Sequence, residues 1–111
     1  FKSFGEIYFN EITQNKKKGW IKHKKNKCIF TAVFGEINFK LFDDRKKSKS
    51  YLSEENITLN KKKYNVLVVP PGIWFCFSTK KKKSVLANLI NNPHSDKESI
   101  KSNKINNIYI E

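Results

Sequence analysis

Apolar residues recur at every second position along most of the chain, the spacing of a sheet with one buried face rather than of a helix. Gly5 to Ile12 (GEIYFNEI) mixes aromatic and β-branched residues and predicts a first strand, ended by Gln14-Asn15 and a lysine run. Trp20 to Lys24 predicts a short second strand, and Cys28 to Phe34 (CIFTAVF) a third, broken by Gly35-Glu36. From Ile37 to Phe42 the alternation is clean, with Ile37, Phe39 and Leu41 on one face and Asn38 and Lys40 on the other. After Asp43-Asp44-Arg45, the stretch to Glu55 is polar, rich in Lys and Ser, and reads as a loop. Asn56 to Leu59 and Tyr64 to Val69 predict two further strands joined by a lysine turn, before Pro70-Pro71-Gly72 interrupts the pattern. Ile73 to Ser78 and Val85 to Ile90 are expected to form a hairpin around Lys80 to Lys83. Beyond Asn91 the chain turns polar, Asn92-Pro93 marks a break, and Ile105 to Ile110 predicts a weak closing strand. Short strands at these turn spacings, with no amphipathic helix, internal repeat or linker, predict one all-β domain over residues 1–111, a sandwich or barrel.

Composition adds an aromatic core and a charge to explain. Nine Phe, four Tyr and two Trp, with no Met, supply large apolar surfaces to bury. The formal net charge is +13, from 23 Lys and Arg against 10 Asp and Glu. Such a balance suits a nucleic-acid binder, because clustered cations release counterions from phosphates. Arg45 is the sole arginine, however, and phosphate and base recognition favours the two-pronged guanidinium. The lysines stand in short runs at Lys16 to Lys18, Lys22 to Lys27, Lys46-Lys47, Lys61 to Lys63 and Lys80 to Lys83, mostly at predicted turns. They read as solvated loop positions, and nucleic acid is not the expected partner. Part of the charge remains available to steer an anionic ligand such as a nucleotide diphosphate.

Cys28 and Cys76 lie within strand-like apolar runs and read as small buried hydrophobes, with no zinc-ligand spacing around them. No apolar run approaches the roughly 20 residues of a membrane-spanning helix, and no secretory signal is present. A soluble cytoplasmic chain with reduced thiols is expected.

Five fragments follow one another in a telling order: Phe4-Gly5-Glu6-Ile7-Tyr8-Phe9; Lys18-Gly19-Trp20-Ile21-Lys22-His23-Lys24-Lys25; Gly35-Glu36-Ile37 running into Leu41-Phe42-Asp43-Asp44-Arg45; Val69-Pro70-Pro71-Gly72-Ile73-Trp74; and Asn92-Pro93-His94. Together they resemble a short-chain branch of proteins related to dTDP-4-dehydrorhamnose 3,5-epimerase, over nearly the whole chain. The resemblance implies a cupin-type jelly-roll barrel, usually a homodimer, holding a deoxythymidine-diphosphate sugar. It implies proton transfer beside the C4 keto group by a histidine base that an acid orients, with a tyrosine as donor and no metal or cofactor. Family members carry a further N-terminal segment, expected upstream of Phe1 here.

Against that pattern, the first histidine position is Ile21, which has no proton-accepting group. His23 matches the second, and period two puts residues 21 and 23 on one face, so His23 is the candidate base or, alternatively, a ligand-orienting or structural histidine. Phe75 stands where relatives carry His or Asn, and Val85 to Ile90, where the tyrosine falls, has none. Asp44-Arg45 with Ser48 resembles an acidic-Leu-Arg…Ser segment, making Arg45 the candidate anion clamp, with a turn cap as the competing role. Lys18, Lys22 and Lys24 flank the histidine strand as candidate diphosphate contacts, and Trp74 as well as Phe75 are candidate cavity residues, while Trp20 and Trp74 also suit a core or an interface. Only His23 and His94 are available for a metal, too few for a metal-dependent cupin. The expected activity is that of a nucleotide-sugar epimerase, with a sugar-nucleotide binding module that has lost turnover as the alternative and a basic nucleic-acid-binding barrel a distant third.

Overall fold

The computed structural model describes residues 5–92, 97–102, 104–105 and 108–109. Phe4, Pro93, His94 and Ile110, which the sequence reading invoked, lie outside the described residues. Eleven strands are found among those described: β1 (Glu6–Thr13), β2 (Lys17–His23), β3 (Cys28–Phe34), β4 (Glu36–Asp43), β5 (Glu54–Asn60), β6 (Leu67–Val69), β7 (Ile73–Ser78), β8 (Lys83–Ile90), β9 (Ser99–Lys101), β10 (Lys104–Ile105) and β11 (Ile108–Tyr109). They build an all-β cupin jelly roll from a four-stranded sheet in the order β1-β8-β3-β6 and a five-stranded sheet in the order β5-β4-β7-β2-β9, every pairing antiparallel.

Two expectations about pairing fail. β7 and β8 are not a hairpin: the Lys80–Lys82 connection carries the chain from one sheet to the other. β7 is buried on both faces, with Ile73, Phe75 and Phe77 inward and Trp74 and Cys76 outward, so it occupies the centre of the five-stranded sheet between β4 and β2. Alternation reports which face is buried but not which strand lies alongside. The weak strand at Ile105 is instead a two-residue pairing of β10 with β11. β9, three residues in the polar tail, was not anticipated.

Inward side chains of both sheets form the core. Phe30 lies with its ring centroid 4.9 Å from Phe39 and 5.2 Å from Phe75, and Phe39 stands 5.2 Å from Phe77. Tilted and edge-on pairs at these separations add to what area burial alone provides. A smaller cluster of Trp20, Phe42, Trp74 and Cys76 covers the outer face of the five-stranded sheet. Cys28 and Cys76, both free thiols, therefore belong to different clusters.

A register shift in β2 separates these faces. Gly19 pairs with Cys76 and Ile21 with the adjacent Phe75, so one extra residue, Trp20, is turned outward while Ile21 faces the core. Gly19 sits at φ +110°, where a Cβ would lie 2.6 Å from the Phe75 carbonyl oxygen; glycine alone fits. The outer face of the four-stranded sheet carries two largely apolar rows. Ile7, Leu89, Ile29 and Val68 form one cross-strand row and Phe9, Ala87 and Thr31 the next, with Phe9 63% exposed.

Candidate functional site

His23 ends β2 on the same inward face as Ile21. Its ring stacks on Phe75 at 6.1 Å with 6° between the planes. Its Nδ1 stands 3.4 Å from a Glu98 carboxylate oxygen, both side chains being largely buried. β9 brings Glu98 there by pairing Ser99 with His23, and the Lys24 N–H bonds the Glu98 carbonyl at 2.8 Å. The carboxylate also accepts the backbone N–H groups of Asn26 at 2.7 Å and Lys25 at 2.9 Å. Burial pushes the Glu98 carboxyl up, but these two amides and the adjacent His23 outweigh it and leave it below the usual carboxylate value.

The facing wall belongs to the four-stranded sheet. Along β1, Glu6, Tyr8, Asn10 and Ile12 alternate inward, and Tyr8 packs against the core cluster. Tyr8 lies directly across from Asn88 of β8, and paired residues share a face. The Tyr8 hydroxyl donates to the Glu6 carboxylate, and that bond pushes the phenol up to about 12. The Cys28 thiol is pushed up to about 12 by burial, the Asn88 side chain opposing and Glu98 reinforcing the shift. Cys28 stands two residues beyond Asn26, whose N–H holds Glu98, so this end of β3 borders the histidine pair. At the opposite edge of the sandwich β3 packs across to β5, with no comparable approach joining β1 to β2 or β9 among the described residues.

The other candidates are placed differently. Phe75 is fully within the core beside His23. Lys18 lines a shallow pocket with Ile21 and Lys101, and Lys24 is exposed beyond β2. Lys22 and Trp74 face outward, away from His23: the Lys22 ammonium lies 4.8 Å from the Trp74 ring and 3.4 Å from Asp44, to which the indole donates at 2.7 Å. Arg45 is committed to Asp43, donating from Nε and Nη2 at 3.0 Å each, while the Asp43 carboxylate also accepts the Arg45 N–H and the Ser50 hydroxyl. These bonds, the guanidinium first, hold the Asp43 carboxyl well below the usual range despite its burial. Gly72 separates this turn from the histidine, its N–H bonding the His23 carbonyl at 2.9 Å and its Cα facing the Arg45 side chain. The sequence pointed to His23 and Phe75, which lie side by side, and gave no role to Glu98, beside His23, or to Tyr8, on the inward face of β1. For Tyr8 a signal existed in the inward polar series Glu6, Tyr8, Asn10; for Glu98 the polar tail offered none.

The family model described as FdtA: WxcM-like, C-terminal, matches residues 7–109. The chain belongs to this family. Among solved structures it is similar to a dTDP sugar isomerase from Desulfovibrio desulfuricans, 32% identical with a TM-score of 0.88, covering 92% of this chain and 66% of that one. It has the fold of the dTDP-4-dehydrorhamnose 3,5-epimerase from Elizabethkingia anophelis (14% identity, TM-score 0.82, 90% and 56% covered). The same holds for ChmJ, a 3'-monoepimerase from Streptomyces bikiniensis in complex with dTDP-quinovose (12% identity, TM-score 0.84, 91% and 52% covered). The chain thus spans just under two-thirds of the first of these relatives and a little over half of the others. Comparison with curated protein sequences gave no match. Among the described residues no helix is long and apolar enough to cross a membrane, and no cluster of metal-ligating side chains is assembled.

Proposed function

We propose that this chain is a sugar-nucleotide isomerase or epimerase that moves a proton at the carbon beside the keto group of a dTDP-4-keto-6-deoxyhexose. The observation that carries the reading is the His23–Glu98 pair on one inward wall facing the Tyr8 wall, in a family member similar to a dTDP sugar isomerase. Glu98 on Nδ1 fixes the ring and leaves Nε2 as the basic nitrogen. Nε2 takes the proton from the carbon next to the carbonyl, the C–H bonding pair becomes a double bond to the carbonyl carbon, and the former keto oxygen takes the π pair and carries the enolate charge. Tyr8, protonated at neutral pH by its bond to Glu6, gives a proton back from the other wall and is itself reprotonated from solvent. Return to the same carbon inverts it; return to the neighbouring carbon, through the enediol, shifts the keto group. No cofactor enters this scheme, because the carbonyl already acidifies the C–H bond.

The sugar-nucleotide binding module without turnover is favoured by Ile21 and Phe75, side chains that cannot transfer a proton, at positions where the resemblance implies a histidine and a histidine or asparagine. Deuterium wash-in separates the two. The chain is incubated with dTDP-4-keto-6-deoxyglucose in heavy water and the ring protons beside the carbonyl are followed by NMR. Exchange above the enzyme-free rate, abolished by His23→Ala, is the expected result. Saturable binding without exchange would leave the binding module standing.

The same reading includes a homodimer and a cytoplasmic location. A second copy carrying the same +13 charge docks best over apolar surface, and the Ile7 and Phe9 rows of the four-stranded sheet supply it. The free thiols of Cys28 and Cys76 agree with a reducing compartment.

A further inference from the structure

Three lysine runs that are distant in sequence meet at one end of the sandwich. Gln14 bonds the Lys80 carbonyl through its side chain at 3.1 Å and the Lys82 carbonyl through its N–H at 3.2 Å, setting the turn before Lys16 to Lys18 against the Lys80 to Lys83 connection. Lys61, Lys62 and Lys81 then line a single cavity of 570 Å³ together with Phe34, Tyr64 and Glu36. This end is remote from His23, since β3 runs from Cys28, two residues beyond the Asn26 N–H that bonds Glu98, to Phe34, about 20 Å along a seven-residue strand.

The two rings at this cavity are unusually bare, Tyr64 being 83% and Phe34 56% exposed. Single exposed rings are common, but Tyr64 is also held at φ +48°, a region an aromatic residue seldom occupies. Such conformations persist where neighbours impose them and concentrate at ligand sites. Neighbours impose this one: the Tyr64 N–H bonds the Lys61 carbonyl, the Lys63 N–H bonds Asn60 Oδ1 at 2.9 Å, and Asn65 ties Thr58 to Asn60. The other rim is equally fixed. The Thr79 and Ser84 hydroxyls both donate to the Glu36 carbonyl, and Thr79 accepts the Lys81 N–H at 3.1 Å. Glu36, the one carboxylate in the lining, accepts the Asn60 amide at 3.3 Å. Two braced rims therefore hold two open aromatic faces among three ammonium groups.

We propose that this end is a second ligand site, separate from His23, that binds nucleotide units by stacking a base on Tyr64 or Phe34 while Lys61, Lys62 and Lys81 meet phosphate. Lysines act as point charges on the phosphate backbone, and every base presents a stacking face, so recognition is blind to sequence. The missing arginine fork, which argued against sequence-specific reading, is no obstacle to this mode. The unit is either a free nucleotide or part of a single strand, a distinction the experiment draws.

The test titrates the full chain with a labelled oligouridylate of about ten nucleotides, within the span of known single-strand sites, and separately with uridine monophosphate, across a range of salt. Saturable binding of the oligomer is expected, with the monophosphate competing if one nucleotide suffices. Tyr64→Ala is expected to weaken binding at least about tenfold, and Lys61→Gln with Lys62→Gln to flatten the log–log salt slope by about 1.4. His23→Ala is expected to leave binding unchanged. No saturable binding at low salt would overturn the site. So would binding that survives both Tyr64→Ala and Phe34→Ala, which marks general charge attraction, or binding lost with His23→Ala, which places the ligand in the interior.

Discussion

At the scale of single residues, the environment of His23 is more informative than its identity. A histidine beside a core phenyl ring is ordinary; one whose Nδ1 faces a carboxylate held ionised by two amides is aimed. Glu98→Gln keeps the shape but removes the charge that stabilises a protonated imidazole, so exchange is expected to fall by on the order of 10²-fold or more, measured by the same wash-in rate. Tyr8→Phe is expected to retain proton loss at the carbon but to lose the inverted or shifted product, seen as exchange without a new sugar signal. Asp43 and Glu98 both have carboxyls depressed in the folded state, so each contributes stability that is present above the unfolded-state value of about 4 and disappears as pH falls through the folded one. Thermal melts between pH 7 and pH 3 are expected to drop on the acid side, and less so for Asp43→Asn, which starts lower. His23 was visible in the sequence because its fragment resembles a family motif. Glu98 was not, because a carboxylate in a Lys- and Ser-rich tail carries no periodicity, and only the pairing of Ser99 with His23 gives it a place.

At the scale of elements, strands were legible and partners were not. β3 and β7 fall where the apolar runs predicted, and β1, β4 and β5 differ by a residue or two at their ends. The β7–β8 hairpin failed because a strand apolar on both faces seeks neighbours on two sides, which local alternation cannot name. The β2 bulge was equally hidden, although Gly19 marks it. Gly19→Ala places a methyl against the Phe75 backbone at a positive φ and is expected to cost about 2 kcal/mol or more, checked by urea denaturation. Because the bulge decides that Ile21 and His23 face inward while Trp20 faces outward, any surviving protein should also show weakened ligand binding.

At the scale of the whole molecule, a cluster of phenylalanines sits between the sheets and most lysine runs sit at turns. Phe30 touches the rings of Phe39, Phe75 and Phe77, so Phe30→Ala is expected to lose about 3–5 kcal/mol of stability in the same denaturation experiment. Phe9→Lys in the apolar rows of the outer face is expected to halve the solution mass by light scattering without changing the circular dichroism spectrum; an unchanged mass would remove that face as the contact between copies. Fold class was legible from period two and composition, whereas the gathering of lysine runs at one end required the topology. The latch of β9 on β2 has a consequence for biosynthesis. His23 leaves the ribosome about 75 residues before Glu98 does, and the other two inner strands of its sheet, β4 and β7, are complete long before β9. A nascent chain can thus bury its phenylalanines while its histidine is still unaimed, and the proposed chemistry waits on the last strand of that sheet to arrive.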